Sequence, residues 1–200
     1  VTGVQQGTLY VAGPLSAGRR TYSGNAAVFG ELDGRYAING AGQDLWRGTA
    51  EFGALYQEGG LRDGGSLTVR VDAQEETGPW ARAGIIVRNS LATPGSRGFL
   101  NLAVTPANGV VLSYDTDGDG TLDAYRRITG IKAPVHLRLS RAGSAYTGAC
   151  STDGGATWRT VATVSAAGAA AVQDAGMFMS ATNGGSGARG TVGFSGWSAG

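Results

Sequence analysis

Apolar and polar residues alternate along most of this chain, and the three-to-four-residue spacing of an amphipathic helix barely appears. The pattern is cleanest in Val135-His136-Leu137-Arg138-Leu139-Ser140-Arg141, where one face is largely apolar and His136 lies on the polar, surface-facing side. Runs of this kind predict strands at residues 7–11, 26–29, 34–38, 50–56, 65–72, 81–89, 98–105, 109–114, 125–131, 135–142, 145–152, 157–164, 175–180 and 190–195. Turn signals separate them, among them Asp33-Gly34, Asp63-Gly64-Gly65, Pro106-Ala107-Asn108-Gly109 and Asp153-Gly154-Gly155. Residues 166–171 fit either one helical turn or a loop. Many short strands at short spacing predict an all-β fold, an antiparallel sandwich or barrel with negligible helix. No linker, charge block or internal repeat divides the 200 residues, so residues 1–200 are expected to form one domain.

Composition supports this picture and narrows the partners. Glycine supplies 36 of the 200 residues, far above the usual share of about 7%, which disfavours helices. The formal net charge of +1 creates no field to recruit nucleic acid or an anionic membrane. No apolar run approaches the length of a membrane-spanning helix. The chain begins at Val1 with no signal-peptide pattern, as expected of a mature form or a piece of a larger secreted protein. Cys150 is the one cysteine, so no disulfide forms within the chain, and its place in Tyr146-Thr147-Gly148-Ala149-Cys150 fits a small buried strand residue.

One segment asks for a cation. Asp115-Thr116-Asp117-Gly118-Asp119-Gly120-Thr121-Leu122-Asp123 carries four carboxylates at alternate positions in a chain that is only 16% charged. Mutual repulsion makes such a cluster unfavourable unless a cation binds it or the loop is simply a solvated hairpin tip. Ca²⁺ takes six to eight oxygens, and loops of the D-x-D-x-D-G type present carboxylates from positions 1, 3 and 5 and a carbonyl from position 7. Those positions are Asp115, Asp117, Asp119 and Thr121, with Asp123 at position 9. Position 12 is Arg126 rather than glutamate and no helical pattern flanks the loop, so this is not an EF-hand. Leu122 is placed to anchor the loop to a core.

Several segments together resemble a known family. Gly40-Ala41-Gly42-Gln43-Asp44-Leu45-Trp46, Phe52 to Tyr56, Leu67-Thr68-Val69-Arg70-Val71, and Pro79-Trp80-Ala81-Arg82-Ala83-Gly84-Ile85-Ile86-Val87-Arg88 follow in order. Pro134-Val135-His136-Leu137-Arg138-Leu139-Ser140-Arg141 and Ser151-Thr152-Asp153-Gly154-Gly155-Ala156-Thr157-Trp158 complete the set. From about Asn25 to the C-terminus the chain is similar to concanavalin A-like jelly-roll domains of the DUF1349 type. Their members carry G-x-D-x-W, W-A-K-A-G-V-M-V-R and S-x-D-G-x-x-W segments, and the Trp80–Arg88 block is the most specific match. The resemblance implies a two-sheet β-sandwich appended to secreted bacterial polysaccharide-active proteins. It implies no particular ligand, and the aspartate loop lies where members usually have a shorter hairpin, so calcium is read from the residues alone.

Catalytic signatures find no match. Adjacent Glu75-Glu76 point to opposite faces of a strand and do not form the alternating carboxylates of jelly-roll glucanases. The Gln-x-His strand of jelly-roll lyases, G-x-S-x-G and H-E-x-x-H are missing as well. Ser151–Trp158 fits a single sialidase-type Asp-box, which is physically a hairpin turn braced by Asp153 and Trp158.

Binding is the surviving chemistry. Sugars stack their C–H faces on aromatic rings while polar side chains satisfy their hydroxyls. Trp46 and Trp80 stand at loop-to-strand junctions, where ligand contacts gather on rigid scaffolds, and Tyr56, Tyr125 and Arg88 join them as candidate ligand residues. Trp158 and Trp197 are further platforms and Tyr114 a further tyrosine. Core packing is the competing role for each aromatic, Trp197 above all, and for Arg88 the competing role is as the partly buried partner of an acid. The expectation is a non-catalytic, monomeric carbohydrate-binding accessory domain of a secreted glycan-active protein, with a calcium-stabilised loop and a polysaccharide or glycan as partner. Its alternatives are a structural or adhesive module, or a glycan-active enzyme with an unrecognised site.

Overall fold

A computed structural model describes residues 15–200, and the strand expected at residues 7–11 lies outside them. The described residues form sixteen strands and no helix. They are β1 (Arg19–Ser23), β2 (Val28–Leu32), β3 (Arg35–Gly40), β4 (Leu45–Trp46), β5 (Thr49–Ala50), β6 (Gly53–Arg62), β7 (Ser66–Gln74) and β8 (Arg82–Arg88). They continue with β9 (Leu100–Thr105), β10 (Gly109–Tyr114), β11 (Ala124–Ile128), β12 (Val135–Ala142), β13 (Ala145–Ser151), β14 (Arg159–Ser165), β15 (Val172–Ser180) and β16 (Gly190–Ala199). Residues 166–171 are a loop.

Two seven-stranded sheets carry the fold, ordered β1-β6-β15-β8-β9-β10-β11 and β14-β13-β12-β7-β16-β3-β2, with β4-β5 as a separate hairpin. Every pairing is antiparallel. The result is the expected antiparallel two-sheet sandwich. Leu55, Ile85, Val87, Leu102, Leu112 and Met177 of the first sheet pack on Leu67, Val69, Val71, Leu137, Leu139 and Phe194 of the second. The second sheet leaves its other face to solvent, so β12 alternates buried and half-buried positions along its length.

The first sheet differs, because β8, β9 and β10 are buried at every position. Something must cover its outer face, and a second core shows what. Leu45, Phe52, Tyr56, Ile86, Phe99, Ala103, Leu122 and Phe178 cluster there without reaching the inter-sheet core. Residues 41–52 cross this face as a strap, and Leu122 pins the aspartate loop beside them. The N–H of Arg47 donates to the Leu122 carbonyl at 2.8 Å and joins the two segments. At Gly84 of β8 a Cβ would strike the Leu102 carbonyl oxygen and crowd Leu137, so only glycine fits that position of the ladder.

Candidate functional site

Three aromatic side chains distant in sequence meet at the edge of the covered face. Leu45 turns inward on the strap and is fully buried. Trp46, next along the strand, therefore points the other way and stays half-buried. Trp80 stands just before β8 on a turn held by Ala81 N–H donating to Gly78 O at 3.1 Å. A Cβ at Gly78 would strike the Thr182 carbonyl, which brings residue 182 into the same corner. Tyr125 faces out from β11 opposite Ser113 and is 39% exposed. Its ring centroid lies 5.7 Å from that of Trp46, at an interplanar angle of 72°. It lies 5.7 Å from that of Trp80, at 70°. Edge-to-face geometry of this kind leaves both indole systems in defined positions. With Asp44, Arg82 and Thr182 these rings line a cleft of about 270 Å³.

The polar groups of the cleft are under-used. Arg82 is 4% exposed and lies 5.9 Å from the centroid of the Trp46 ring. Its Nη1 donates to the Leu45 carbonyl at 2.9 Å and to Ser113 Oγ at 3.3 Å. Its Nε has no acceptor, and the buried Oγ1 of Thr182 has no partner either. Burial pushes the Arg82 guanidinium below its ordinary pKa, opposed by the charge of Asp44. Beside Ser113 in the same row, Asn101 is fully buried with neither amide atom bonded. Buried polar atoms nearly always find partners, so three such residues at one place mark a spot that packing alone does not explain. Arg47 and Thr182 add backbone strain there, at φ of 52° and 45°. On the rim, Arg127 sits 5.6 Å from the Trp80 centroid and donates to Asn108 Oδ1 at 2.6 Å.

Of the five expected ligand residues, the structure brings Trp46, Trp80 and Tyr125 together and separates Tyr56 and Arg88 from them. Tyr56 is 3% exposed in the second core, where burial and the neighbouring Asp174 and Glu58 raise its pKa. Arg88 is 1% exposed, 4.3 Å from the centroid of Phe99, and donates to Ser96 O at 2.6 Å and Gly120 O at 2.7 Å. Both readings need correction: the strap and the aspartate loop cover the face on which a free strand arginine and tyrosine would have met ligand. Asp44, Arg82 and Thr182 were not anticipated. A signal existed for two of them, since Asp44 lies two residues before Trp46 and Arg82 two residues after Trp80.

The aspartate loop leaves β10 at Asp115 and re-enters at Asp123, whose N–H donates to Tyr114 O. Ligand-capable oxygens of Asp115, Asp117 and Asp119 lie within 4.8 Å of one another. Asp115 is fully buried and accepts the N–H groups of Asp117, Gly118 and Gly120 at 3.2, 2.7 and 2.9 Å. Desolvation raises its pKa while those N–H groups oppose the rise. Asp119 accepts Thr121 N–H at 2.7 Å and Thr121 Oγ1–H at 2.8 Å, which lowers its pKa. Asp123 stands outside the trio and accepts from Thr116 N and Oγ1 at 3.0 and 2.6 Å across the base of the loop. Gly120, at φ 86°, packs so closely on Gly95 that a Cβ would strike its carbonyl. Leu122 is 1% exposed, which bears out its reading as the anchor.

The Asp-box segment is a hairpin tip between β13 and β14. Asp153 accepts from Ser151 Oγ at 2.6 Å and Thr157 N at 2.9 Å, and these bonds hold its carboxyl far below the usual range. Trp158 folds back to donate from Nε1 to Gly155 O at 3.0 Å, beneath the guanidinium of Arg138. His136 is half-buried on the solvent side of the second sheet, beside Arg70 and Ser151 and remote from the cleft.

No family model and no curated protein matches the chain, so the likeness to DUF1349-type domains rests on its motifs. Solved structures do match. A functionally unknown protein from Saccharomyces cerevisiae superposes with a TM-score of 0.71 at 16% identity, over 92% of this chain and 96% of that one. The alginate lyase A1-II′ of polysaccharide lyase family 7 gives 0.57 at 11%, over 85% and 81%. A GH43 protein from Bacillus licheniformis gives 0.59 at 15%, over 82% of this chain but 32% of its own length. Such distant likenesses establish the fold, an all-β sandwich of the jelly-roll class that recurs among glycan-active proteins.

Proposed function

We propose that this protein is a non-catalytic carbohydrate-binding domain, secreted as part of a glycan-active protein, whose ligand site is the cleft of Trp46, Trp80 and Tyr125. The observation that carries the reading is the convergence of three partly exposed rings on a cleft whose Arg82 Nε and Thr182 Oγ1 have no internal partner. Stacked rings and unspent hydrogen-bonding atoms are what a sugar requires from a protein surface. Hydrolysis by paired carboxylates needs two of them about 5–9.5 Å apart, and the cleft lining offers Asp44. The GH43 likeness, confined to a third of that chain, fits a module that travels with further domains, and we propose that it works as a monomer.

The same reading assigns Ca²⁺ to the aspartate loop, held by Asp115, Asp117 and Asp119 with Thr121 and Asp123 completing the set. The cation would relieve carboxylate repulsion and stiffen the segment that carries Leu122 and leads to Tyr125. Through the Arg47–Leu122 hydrogen bond it would steady the strap under Trp46. Calcium is therefore expected to raise the melting temperature, with a gain of about 2.7 kcal/mol at a hundredfold excess over Kd. Chelator should reverse the shift, Asp117→Ala or Asp119→Ala should abolish it, and Mg²⁺ should substitute poorly because it demands tight octahedral geometry. Melts that ignore calcium would remove the ion from the account.

A glycan-array screen with and without calcium tests the main reading. A defined set of glycans should bind, more weakly under chelation. An array on which the folded protein binds nothing would refute carbohydrate recognition.

A further inference from the structure

The unpaired guanidinium on the cleft wall points to a narrower ligand class. We infer that the cleft selects sugars bearing a carboxylate, with Arg82 receiving the acid group while Trp46, Trp80 and Tyr125 hold the ring. This rests on the reading of the cleft as a sugar site and adds the charge of its ligand.

A buried arginine is ordinarily satisfied by an acid, because an isolated charge away from water is costly. Arg82 is 96% buried, as its 4% exposure implies, and among the described residues no carboxylate forms an ion pair with it. Two neutral oxygens, Leu45 O and Ser113 Oγ, engage Nη1 and fix the orientation of the group. Nε is shut off from solvent without an acceptor, and Nη2 beside it makes no hydrogen bond among the described residues and is not shut off, on a residue that lines the cleft. A guanidinium positioned in this way has donors in reserve for a carboxylate, whose two oxygens suit the planar fork.

The surrounding charges are mixed: Arg127 favours an acidic ligand and Asp44 opposes it. Arg127 lies against Trp80 on the rim. Asp44 is the one acidic side chain of the lining, and its Oδ1 already accepts Leu45 N–H at 2.7 Å. Its remaining lone pairs suit sugar hydroxyls, which are donors. The structural alternative, that Arg82 serves only to hold Leu45 and Ser113, accounts for Nη1 and leaves Nε unexplained.

Two natural sources share this chemistry, uronic acids of polysaccharides and terminal sialic acids, and the experiment separates them. Titration calorimetry of the intact protein, with calcium held constant, would compare trimers of galacturonate, mannuronate and guluronate, and sialyllactose, each with its own methyl ester. Esterification keeps the sugar and removes the charge. At least one acid should bind about tenfold or more tightly than its ester, as expected of a hydrogen-bonded charge in a shielded site. Arg82→Gln should erase that gap, and Arg82→Lys should retain part of it. If Arg82→Gln fails to fold, the acid-to-ester ratio of the unaltered protein still decides. Equal affinity of acid and ester overturns the inference and leaves the sugar site standing. Binding of neutral glycans alone does the same, whereas failure of every glycan takes the site down as well.

Discussion

Phe52→Ala is expected to cost about 3–5 kcal/mol of stability, the loss seen when a large aromatic is truncated inside a packed core. Phe52 is fully buried, and its ring centroid lies 4.6 Å from Tyr22, 6.1 Å from Phe99 and 6.5 Å from Phe178. These rings belong to the second core, outside the sandwich interior. The cavity would open beneath the strap, freeing Leu45 and with it Trp46, so ligand affinity should fall together with stability. Phe52→Leu should cost far less. Denaturant titrations of both variants check this, and a loss below about 1 kcal/mol for the alanine variant would show that the strap is held some other way.

Trp46→Ala and Tyr125→Ala should behave in the opposite manner. Both side chains are partly exposed, so truncation removes little buried area and should cost about 1 kcal/mol of stability or less. Binding should weaken by about 2 kcal/mol or more, roughly thirtyfold, as when a central aromatic anchor is lost. On the proposed reading the two rings would touch the same ligand, so the double variant should lose less than the sum of the single ones. Calorimetry beside thermal melts separates the outcomes. Variants that melt early and bind normally would mean that these rings are core and not platform.

The sandwich was legible in the sequence because most of its strands have one wet face. β7 and β12 alternate in both pattern and burial, and the alternation fixes which side is core. β8 to β10 were placed with the other strands by pattern and flanking turns, although a strand buried on both sides carries no wet face that could reveal its cover. That is why Arg88 and Tyr56 were misplaced: their exposure depended on a strap whose regular pieces, β4 and β5, are two residues each. β1 was missed for the opposite reason, since Arg19-Arg20-Thr21-Tyr22-Ser23 has almost no apolar content. The cleft residues were half legible. Trp46, Trp80 and Tyr125 announce themselves by size, but their meeting depends on a hairpin crossing a sheet, a long-range arrangement that no local spacing encodes.

The outermost strands of the two sheets have a consequence for how the molecule behaves in company. Sheet edges carry unpaired N–H and C=O groups and invite neighbouring chains to add strands. Among the described residues the edges are β1 and β11 in one sheet and β14 and β2 in the other. Each includes a charged residue: Arg19 and Arg20, Arg126 and Arg127, Arg159, and Glu31. Docking another strand against β1, β11 or β14 would strip water from an exposed charge, which discourages edge-to-edge stacking, whereas Glu31 on β2 is already paired with Arg19 at 3.6 Å. On β11 the guard and the cleft share one strand, with Arg126 and Arg127 directly following Tyr125. The strand that borders the cleft is thereby kept from becoming a seam between copies.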